Sequence, residues 1–448
     1  MPSDPSAEST GTTVEDAVDA LEDGDRPIRP GSARSALRHQ VFRRVFIGAF
    51  LSNIGSWMQN VVLGAYVYEL TKSPSFVGIV GFAQLGPLLL FSMFGGLLAD
   101  LIDRRRLLIV VSTIQGLLSV GLAVVVSSDS LTVSAEKAWI VALVFLIGVG
   151  QAVFGPTYSA LLPGLVGEED LAGAISLNSA QMNGSRVVGP IIGAAVASAF
   201  SAAWVFNLNA ASFLLVIWAL YTVTLPPPVI DHSGPQGIQR IWSGVGIAKQ
   251  SPVLRKCLFI LVTYSLISLT FITQMPTLAN QNLGIDLKEE SGKYGILYAC
   301  FGVGALIGAL SIGTVLSGRD LTRIVRASLF AFAGFLALFS LLRSPLPAYP
   351  VVALVGLAYF AMITSLSTVF QQALDDGSRG RVMALWIMGF GGTVPIGGLI
   401  AGRVIEATNV TTTMLIGAAW ALVLGIYADF GREPSRAPVL DPDIAPAD

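Results

Sequence analysis

Arg186 stands deep within a long apolar run, on one face with Ser176, Ser179 and Asn183. An arginine near the middle of such a run in a bilayer costs about 2.5–3.5 kcal/mol on insertion scales, so its guanidinium needs a partner or a water-filled site. No carboxylate lies deep in another apolar run: Glu69 and Glu406 fall near the ends of theirs, and so does Asp100. Two roles fit Arg186, a polar brace to helix carbonyls or to Asn and Gln side chains, and a contact for an anionic group on a bound molecule. Three other runs carry neutral polar stripes at helical spacing. The first holds Ser52, Asn53, Ser56, Trp57, Gln59 and Asn60, the seventh Thr263, Thr270, Thr273, Gln274 and Thr277, and the tenth Thr364, Ser365, Thr368, Gln371 and Gln372. The fourth adds Gln151 and Tyr158. Interhelical hydrogen bonding accounts for any single Ser or Thr, but whole stripes facing lipid are costly and point to a wet interior. The candidate cavity residues are therefore Asn53, Trp57, Gln59, Asn60, Gln151, Arg186, Thr273, Gln274, Thr368 and Gln371.

Catalysis within the membrane needs a clustered nucleophile and base, or metal ligands. His39 and His232 lie outside every apolar run, and Cys257 and Cys300 stand singly in theirs, where small apolar packing suits them. An enzyme is not expected, nor a metal site or a cofactor.

These side chains need membrane-spanning elements to position them. Hydrophobic residues make up 53% of 448 and charged residues 12%, a balance that leaves too little polar surface for a soluble domain. A span needs about 20 apolar residues. Twelve segments qualify, at 46–69, 76–99, 107–127, 138–163, 172–199, 203–225, 256–280, 292–316, 324–343, 348–373, 382–404 and 410–430. The expected fold is all-α, a bundle of twelve transmembrane helices in two six-helix pseudo-repeats. Residues 1–42 read as a disordered tail, 43–225 as the first bundle, 226–254 as a linker opening on Pro226-Pro-Pro, 255–430 as the second bundle and 431–448 as a second tail. Residues 1–25 contain no apolar core of a cleaved signal.

Charge placement sets the expected orientation. Arg104, Arg105, Arg106, Arg240, Lys249, Arg255, Lys256, Arg319, Arg323, Arg326, Arg379, Arg381, Arg432, Arg436 and the six arginines before the first span share one side. Only Lys72, Lys137, Lys288, Lys293, Arg343 and Arg403 share the other. The positive-inside rule then puts both termini in the cytoplasm of a cell carrying the protein in its plasma membrane.

The stretch from Gly96 to Arg106 recurs in worn form from Gly313 to Arg323, matching Asp103 to Asp320 and Arg106 to Arg323, and upstream Gly78 to Gly295. Gly189-Pro190-Ile-Ile-Gly193 is answered by Val394-Pro395-Ile-Gly-Gly398. Duplicated halves of this kind place a substrate site between them near the bilayer midplane.

With Gly96, Asp100 and Arg104 to Arg106 between the second and third spans, the chain resembles the major facilitator superfamily over about residues 40–430. Leu101 replaces that loop's usual basic residue and Asp103 its usual glycine. The texts around Asn53-Ile-Gly-Ser-Trp-Met-Gln59, Tyr68-Glu-Leu-Thr71 and Arg379-Gly-Arg-Val-Met383 resemble the branch containing enterobactin-type siderophore exporters and macrolide efflux pumps. The resemblance implies secondary active export of small amphipathic molecules by alternating access, driven by protons, with spans 1, 4, 7 and 10 around the cavity. It also implies a gate in which Asp100, beside Gly96 and the arginines Arg104, Arg105 and Arg106, meets the N-terminus of span 11 near Arg381 while the cytoplasmic side is closed. Gly189, Pro190 and Gly193 resemble an exporter motif of span 5, with Ala194 where a second glycine is usual and Gly184 out of register; an ordinary kinked packing helix is the other reading. Glu69 is the best local candidate for the proton site, against an interfacial helix-end carboxylate. The expected partners are the lipid bilayer, a small-molecule substrate and protons, with no nucleic acid, and the chain is expected to be a monomer. A lipid flippase or uptake transporter of the same fold, or a non-transport membrane partner of a biosynthetic complex, are the alternatives.

Overall fold

The computed structural model describes residues 31–222, 245–316, 318–374 and 376–430, apart from the side chains of 92–94, 96, 97, 99, 100, 376–381 and 384. The predicted gate residues Gly96, Asp100 and Arg381 therefore have side chains outside the described set, as do residues 1–30, the linker as far as 244 and the tail 431–448. All regular structure among the described residues is helical. The long helices are α1 (Gln40–Thr71), α2 (Pro74–Leu101), α3 (Arg104–Val126), α4 (Val133–Leu161), α5 (Leu171–Ala199) and α6 (Ala202–Tyr221). After residue 245 come α7, in the pieces Pro252–Thr263, Tyr264–Ser268, Thr270–Thr273 and Met275–Gln281, then α8 (Ser291–Gly313), α9 (Leu321–Leu341), α10 (Pro345–Gln372), α11 (Asp376–Ala407) and α12 (Val410–Tyr427). Among the described residues, ten helical segments are long and apolar enough to cross a membrane. The two that fall short are α1 and α5, where the polar stripe and Arg186 dilute the apolar character.

Local chemistry sets the boundaries. Ser73 accepts from the Phe76 N–H with Pro74 in the first turn of α2, and Thr132 accepts from the Ala135 N–H to start α4. These caps satisfy amides that the first turn leaves unpaired. Asp103, which stands where the resembled loop has glycine, accepts from the Arg106 N–H at 2.8 Å and caps α3. Its repeat counterpart Asp320 caps α9 through the Thr322 N–H at 2.9 Å. Both copies of the loop thus use the same aspartate for the same purpose.

Two sequence expectations need correcting. The seventh span is not one continuous helix, because a π-helical turn at Tyr264–Ser268 and breaks at Leu269 and Gln274 divide it. Against this loosened stretch, Gly397 of α11 packs on the Leu266 carbonyl and Gly417 of α12 on the Ile267 carbonyl, and Ser268 Oγ donates to the Gly417 carbonyl at 2.7 Å. Neighbouring backbone thus fills what an unbroken helix would occupy. The second correction concerns the first tail. From Gly31 onward the chain is held to the start of α5: the Gly31 N–H donates to Asp170 Oδ1 at 2.9 Å, and His39 Nε2 meets Asp170 Oδ2 at 2.8 Å. Gly173 leaves room for the Ser32 carbonyl, and these partners hold the Asp170 carboxyl below the usual carboxylate range, the His39 contact most of all.

Among the first six helices, α1 packs on α5 and α6, α2 on α4, and α3 on α4 and α6. Among the later ones, α8 packs on α10, and α9 on α10 and α12. The principal contacts joining the two groups are α2 with α11 and α5 with α8.

Candidate functional site: the seam between the helix groups

The seam has two ends, named here by residues: the Thr71 end, where α1 stops and α2 starts, and the Arg104 end, where α2 stops and α3 starts. At the Thr71 end the groups meet backbone to backbone. A methyl on Gly78 of α2 would lie 2.6 Å from the Gly398 carbonyl oxygen and 3.1 Å from Leu399 Cα of α11. A methyl on Gly295 of α8 would lie 2.1 Å from Ala194 Cβ and 3.0 Å from the Pro190 carbonyl oxygen of α5. Gly78 and Gly295 are counterparts in the sequence repeat, and Ala194 and Leu399 stand one residue beyond the counterparts Gly193 and Gly398. The same contact is therefore made twice, once on each side of the seam. Further out, Gly402 of α11 packs on Pro74 and Ser75.

Polar contacts reinforce this end. Glu406, near the C-terminus of α11, accepts from Ser73 Oγ at 2.6 Å, the Ser75 N–H at 3.1 Å and Ser75 Oγ at 2.5 Å, all at the start of α2. A carboxylate at its own helix's C-terminus is disfavoured by that helix dipole and favoured by the α2 N-terminus. Gln274 donates to the Pro74 carbonyl at 3.1 Å and the Gly398 carbonyl at 3.3 Å, and Gln281 donates to Tyr68 Oη at 3.2 Å.

Midway along the seam, Arg186 extends from α5. Its guanidinium carbon lies 5.3 Å from the ring centre of Trp57 on α1 and 5.0 Å from that of Phe360 on α10. Gly189 makes room for this: its missing side chain would collide with Trp57 Cβ at 2.5 Å, and Gly193 likewise lets Met58 approach. Pro190 has no N–H to give the Arg186 carbonyl, and that carbonyl lies against Gly302 of α8, where a methyl would come within 2.9 Å. The span 5 motif thus performs close packing on both α1 and α8. No described group accepts a hydrogen bond from the guanidinium, and Nε is buried without a partner. Two cation–π contacts at about 0.5–2 kcal/mol each offset a good part of the burial cost. They leave the Nε–H unsatisfied, since rings offer no lone pair.

Two polar stripes lead to this point from the Arg104 end. On α5, Ser176 and Ser179 are exposed, Asn183 half-buried, and Arg186 follows. On α10, Gln371 is exposed, Thr368 and Thr364 half-buried, and Phe360 buried.

The other predicted residues divide by partner. Gln59 is buried and accepts from Asn209 Nδ2 of α6 at 2.9 Å. Asn60 accepts from Gln84 of α2. Thr273 donates to the Thr270 carbonyl at 2.9 Å and touches Gly398, while Gln274 is wholly buried in the Thr71-end contact. All four are engaged by protein; Gln59 and Gln274 are buried and line no open space in this conformation, while Asn60 and Thr273 are half-buried. Gln151 is exposed and accepts from Gln115 at 3.2 Å, Asn53 and Trp57 are half-buried, and Gln371 donates to Ser367 Oγ at 3.1 Å. Glu69 pairs with Lys72 at the Thr71 end, with Oε1 buried and unpartnered. Arg104 donates to the Ala160 carbonyl and Arg105 to the Tyr221 carbonyl, each at 2.9 Å. Those are the last carbonyls of α4 and α6, where a cation is favoured. Arg106 contributes its backbone N–H to the Asp103 cap.

Sequence reasoning did not single out Phe360, Tyr359 or Glu136. Glu136 accepts from Tyr66 Oη and is buried in the first turn of α4. A span beginning at 138 left it outside, and Thr132, a capping residue ahead of an apolar run, was the signal for an earlier start.

A helical bundle with many apolar crossing segments and a polar, aromatic interior at its seam is that of a multi-pass membrane protein. The profile of the transmembrane secretion effector family of the major facilitator superfamily matches residues 31–438, and the chain belongs to that family. It is 25% identical over 374 residues to the staphyloferrin A transporter of Staphylococcus aureus, covering 83% of this chain and 91% of that one. To the enterobactin exporter EntS of Escherichia coli K12 it is 26% identical over 421 residues, covering 90% and 96%. The fold is similar to that of the nucleoside transporter NupG, with a TM-score of 0.66 at 14% identity over 87% of this chain and 98% of that one.

Proposed function

We propose that this chain is a twelve-span secondary active transporter of two six-helix halves that exports small amphipathic molecules, such as a siderophore, drug or other secondary metabolite, by alternating access driven by protons. The observation that carries the proposal is the asymmetry along the seam. The Thr71 end is closed by paired glycine contacts and the Glu406 cluster, while polar stripes from both helix groups run from exposed at the Arg104 end to half-buried Arg186 and buried Phe360. With positive charge inside, the Arg104 end is cytoplasmic, and this is an inward-facing conformation ready to load from the cell. The repeated glycine contact supports two pseudo-equivalent halves that rock about a central site. The names of the two siderophore-handling relatives support the cargo class. Asp100 at the N-terminus of α11 is the proposed cytoplasmic gate and Glu69 the proposed proton site, with the protein acting as a monomer in the plasma membrane.

Inverted membrane vesicles test the direction and coupling. Under an imposed proton gradient, vesicles carrying the protein should accumulate at least one compound of a siderophore and hydrophobic-antibiotic panel, and a protonophore should abolish it. Accumulation of none of the panel, or accumulation indifferent to the protonophore, removes the antiport reading.

A further inference from the structure

The position of Arg186 favours a particular chemical class of cargo, a reading that rests on the transporter function proposed above. A buried guanidinium whose environment is purely structural is expected to spend its donors on carbonyls or carboxylates. Arg186 does neither among the described residues, and its Nε is sealed from solvent with no partner. What surrounds it is aromatic: Trp57 from the first helix group and Phe360 from the second, with Tyr359 edge-on to Phe360 at 4.6 Å between ring centres. Tyr359 in turn stacks on Tyr264 of the π-helical turn, with ring centres 6.4 Å apart, and the wholly buried Tyr264 hydroxyl also lacks a partner. Two unsatisfied polar atoms, Arg186 Nε and Tyr264 Oη, thus adjoin one aromatic cluster, Phe360 with Tyr359, where the seam's polar stripes end. Arg186 is half-buried and walled by rings, so a neutral polar cargo would leave the cation unmatched and a cationic cargo would be repelled.

We infer that Arg186, Trp57, Phe360 and Tyr359 form the recognition subsite for a ring-bearing organic anion, whose planar carboxylate or ring-oxygen anion accepts from the guanidinium while its ring packs on the aromatic side chains. Planar, two-point acceptance is the interaction a guanidinium makes and an ammonium cannot. Because Trp57 and Phe360 belong to different halves, an occupied subsite bridges the seam, and the rocking motion must rearrange the Arg186–Phe360 contact.

The test is equilibrium binding to the purified full-length protein in lipid nanodiscs, with salicylate as probe and the near-isosteric neutral salicylamide as control. The wild type should prefer salicylate by about tenfold or more, equivalent to about 1.4 kcal/mol. Arg186→Gln should remove the preference, and Arg186→Lys, which keeps the charge but not the fork, should retain only part of it. Equal binding of the two probes by the wild type, or no saturable salicylate binding, overturns the inference even if Arg186→Gln fails to fold. A preference that survives Arg186→Gln overturns it as well and makes Arg186 a structural brace. Binding is read without any gradient, so a failed export assay leaves this result untouched, and lost anion preference alongside continued efflux of a neutral compound removes the cargo class only.

Discussion

Glu406→Gln should loosen the Thr71 end of the seam and shift the protein toward the outward-open state. The carboxylate accepts three hydrogen bonds from Ser73 and Ser75. A hydrogen bond to a charged group is worth about 1.5–3 kcal/mol when protected. Glu406 is exposed, however, and water competes for each bond, so the surface-pair range of about 0.2–1 kcal/mol applies to each one. Glutamine keeps one acceptor oxygen and loses the charge that the α2 N-terminus favours. The net loss is then about 1–1.5 kcal/mol, or roughly a tenfold change in the ratio of closed to open. Spin labels at Asp129 and Lys288, on loops of the two halves at that end, report this in a background lacking Cys257 and Cys300 through pulsed dipolar distances in nanodiscs. The long-distance population should grow in Glu406→Gln, and Ser73→Ala with Ser75→Ala should reproduce most of the shift. Adding Glu406→Gln to that double variant should change little, because the partners act as one unit. Distance distributions that superimpose on the wild type would refute the assignment of a latch, as would fully additive effects.

Gly295→Ala should open the same end by overpacking, since its new methyl would meet Ala194 Cβ at 2.1 Å; the same labels should lengthen, and Ala194→Gly should restore the wild-type distribution because it removes the colliding atom. Gly189→Leu should displace Trp57, whose Cβ lies 2.5 Å from the new carbon, and reduce vesicle uptake while the protein still inserts, as checked by membrane yield. Asp100→Asn should slow turnover without preventing insertion; unchanged turnover removes Asp100 from the gate. The Asp170 carboxyl is held below the usual carboxylate range by His39 and the Gly31 N–H, so its contribution is present above the ordinary carboxylate pKa and is lost as pH falls through the lowered value. Hydrogen exchange at the Gly31 amide should therefore stay slow at neutral pH and quicken only in acid, whereas Asp170→Asn should quicken it throughout.

The all-helical character with many apolar segments and the face of Arg186 were legible because apolar length and a costly charge are local signals in the chain. What Arg186 touches was not. Cation–π contacts depend on which ring arrives from a distant helix, and Phe360 looks like any other apolar residue in its span. The stripes misassigned Gln59 and Gln274 for a related reason: a polar residue facing inward meets either a cavity or another helix, and periodicity treats the two alike. Only the contact partners, Asn209 for one and the Pro74 and Gly398 carbonyls for the other, separate them. The break in α7 was hidden as well, since Pro276 marks only its last piece while the π turn at Tyr264–Ser268 has no proline or glycine.

The placement of the two acids on α2 and α11 bears on how the cycle stays reversible. These helices run antiparallel across the seam. Glu406 at the C-terminal end of α11 sits on the N-terminus of α2, and the proposed cytoplasmic gate puts Asp100, at the C-terminal end of α2, on the N-terminus of α11. One pair of helices would then carry the same device at both ends, each engaged only when its own side is closed. An alternating transporter needs its two end states within a few kcal/mol of each other, because an equilibrium biased 99 to 1 already requires about 5.5 kcal/mol of differential binding to reverse. Two such carboxylate latches would meet that need in a way one buried ion pair would not, since the exposed Glu406 contributes little and opposed latches largely cancel. Glu406→Gln combined with Asp100→Asn should therefore return the distance distribution toward that of the wild type, although each change alone shifts it in the opposite direction.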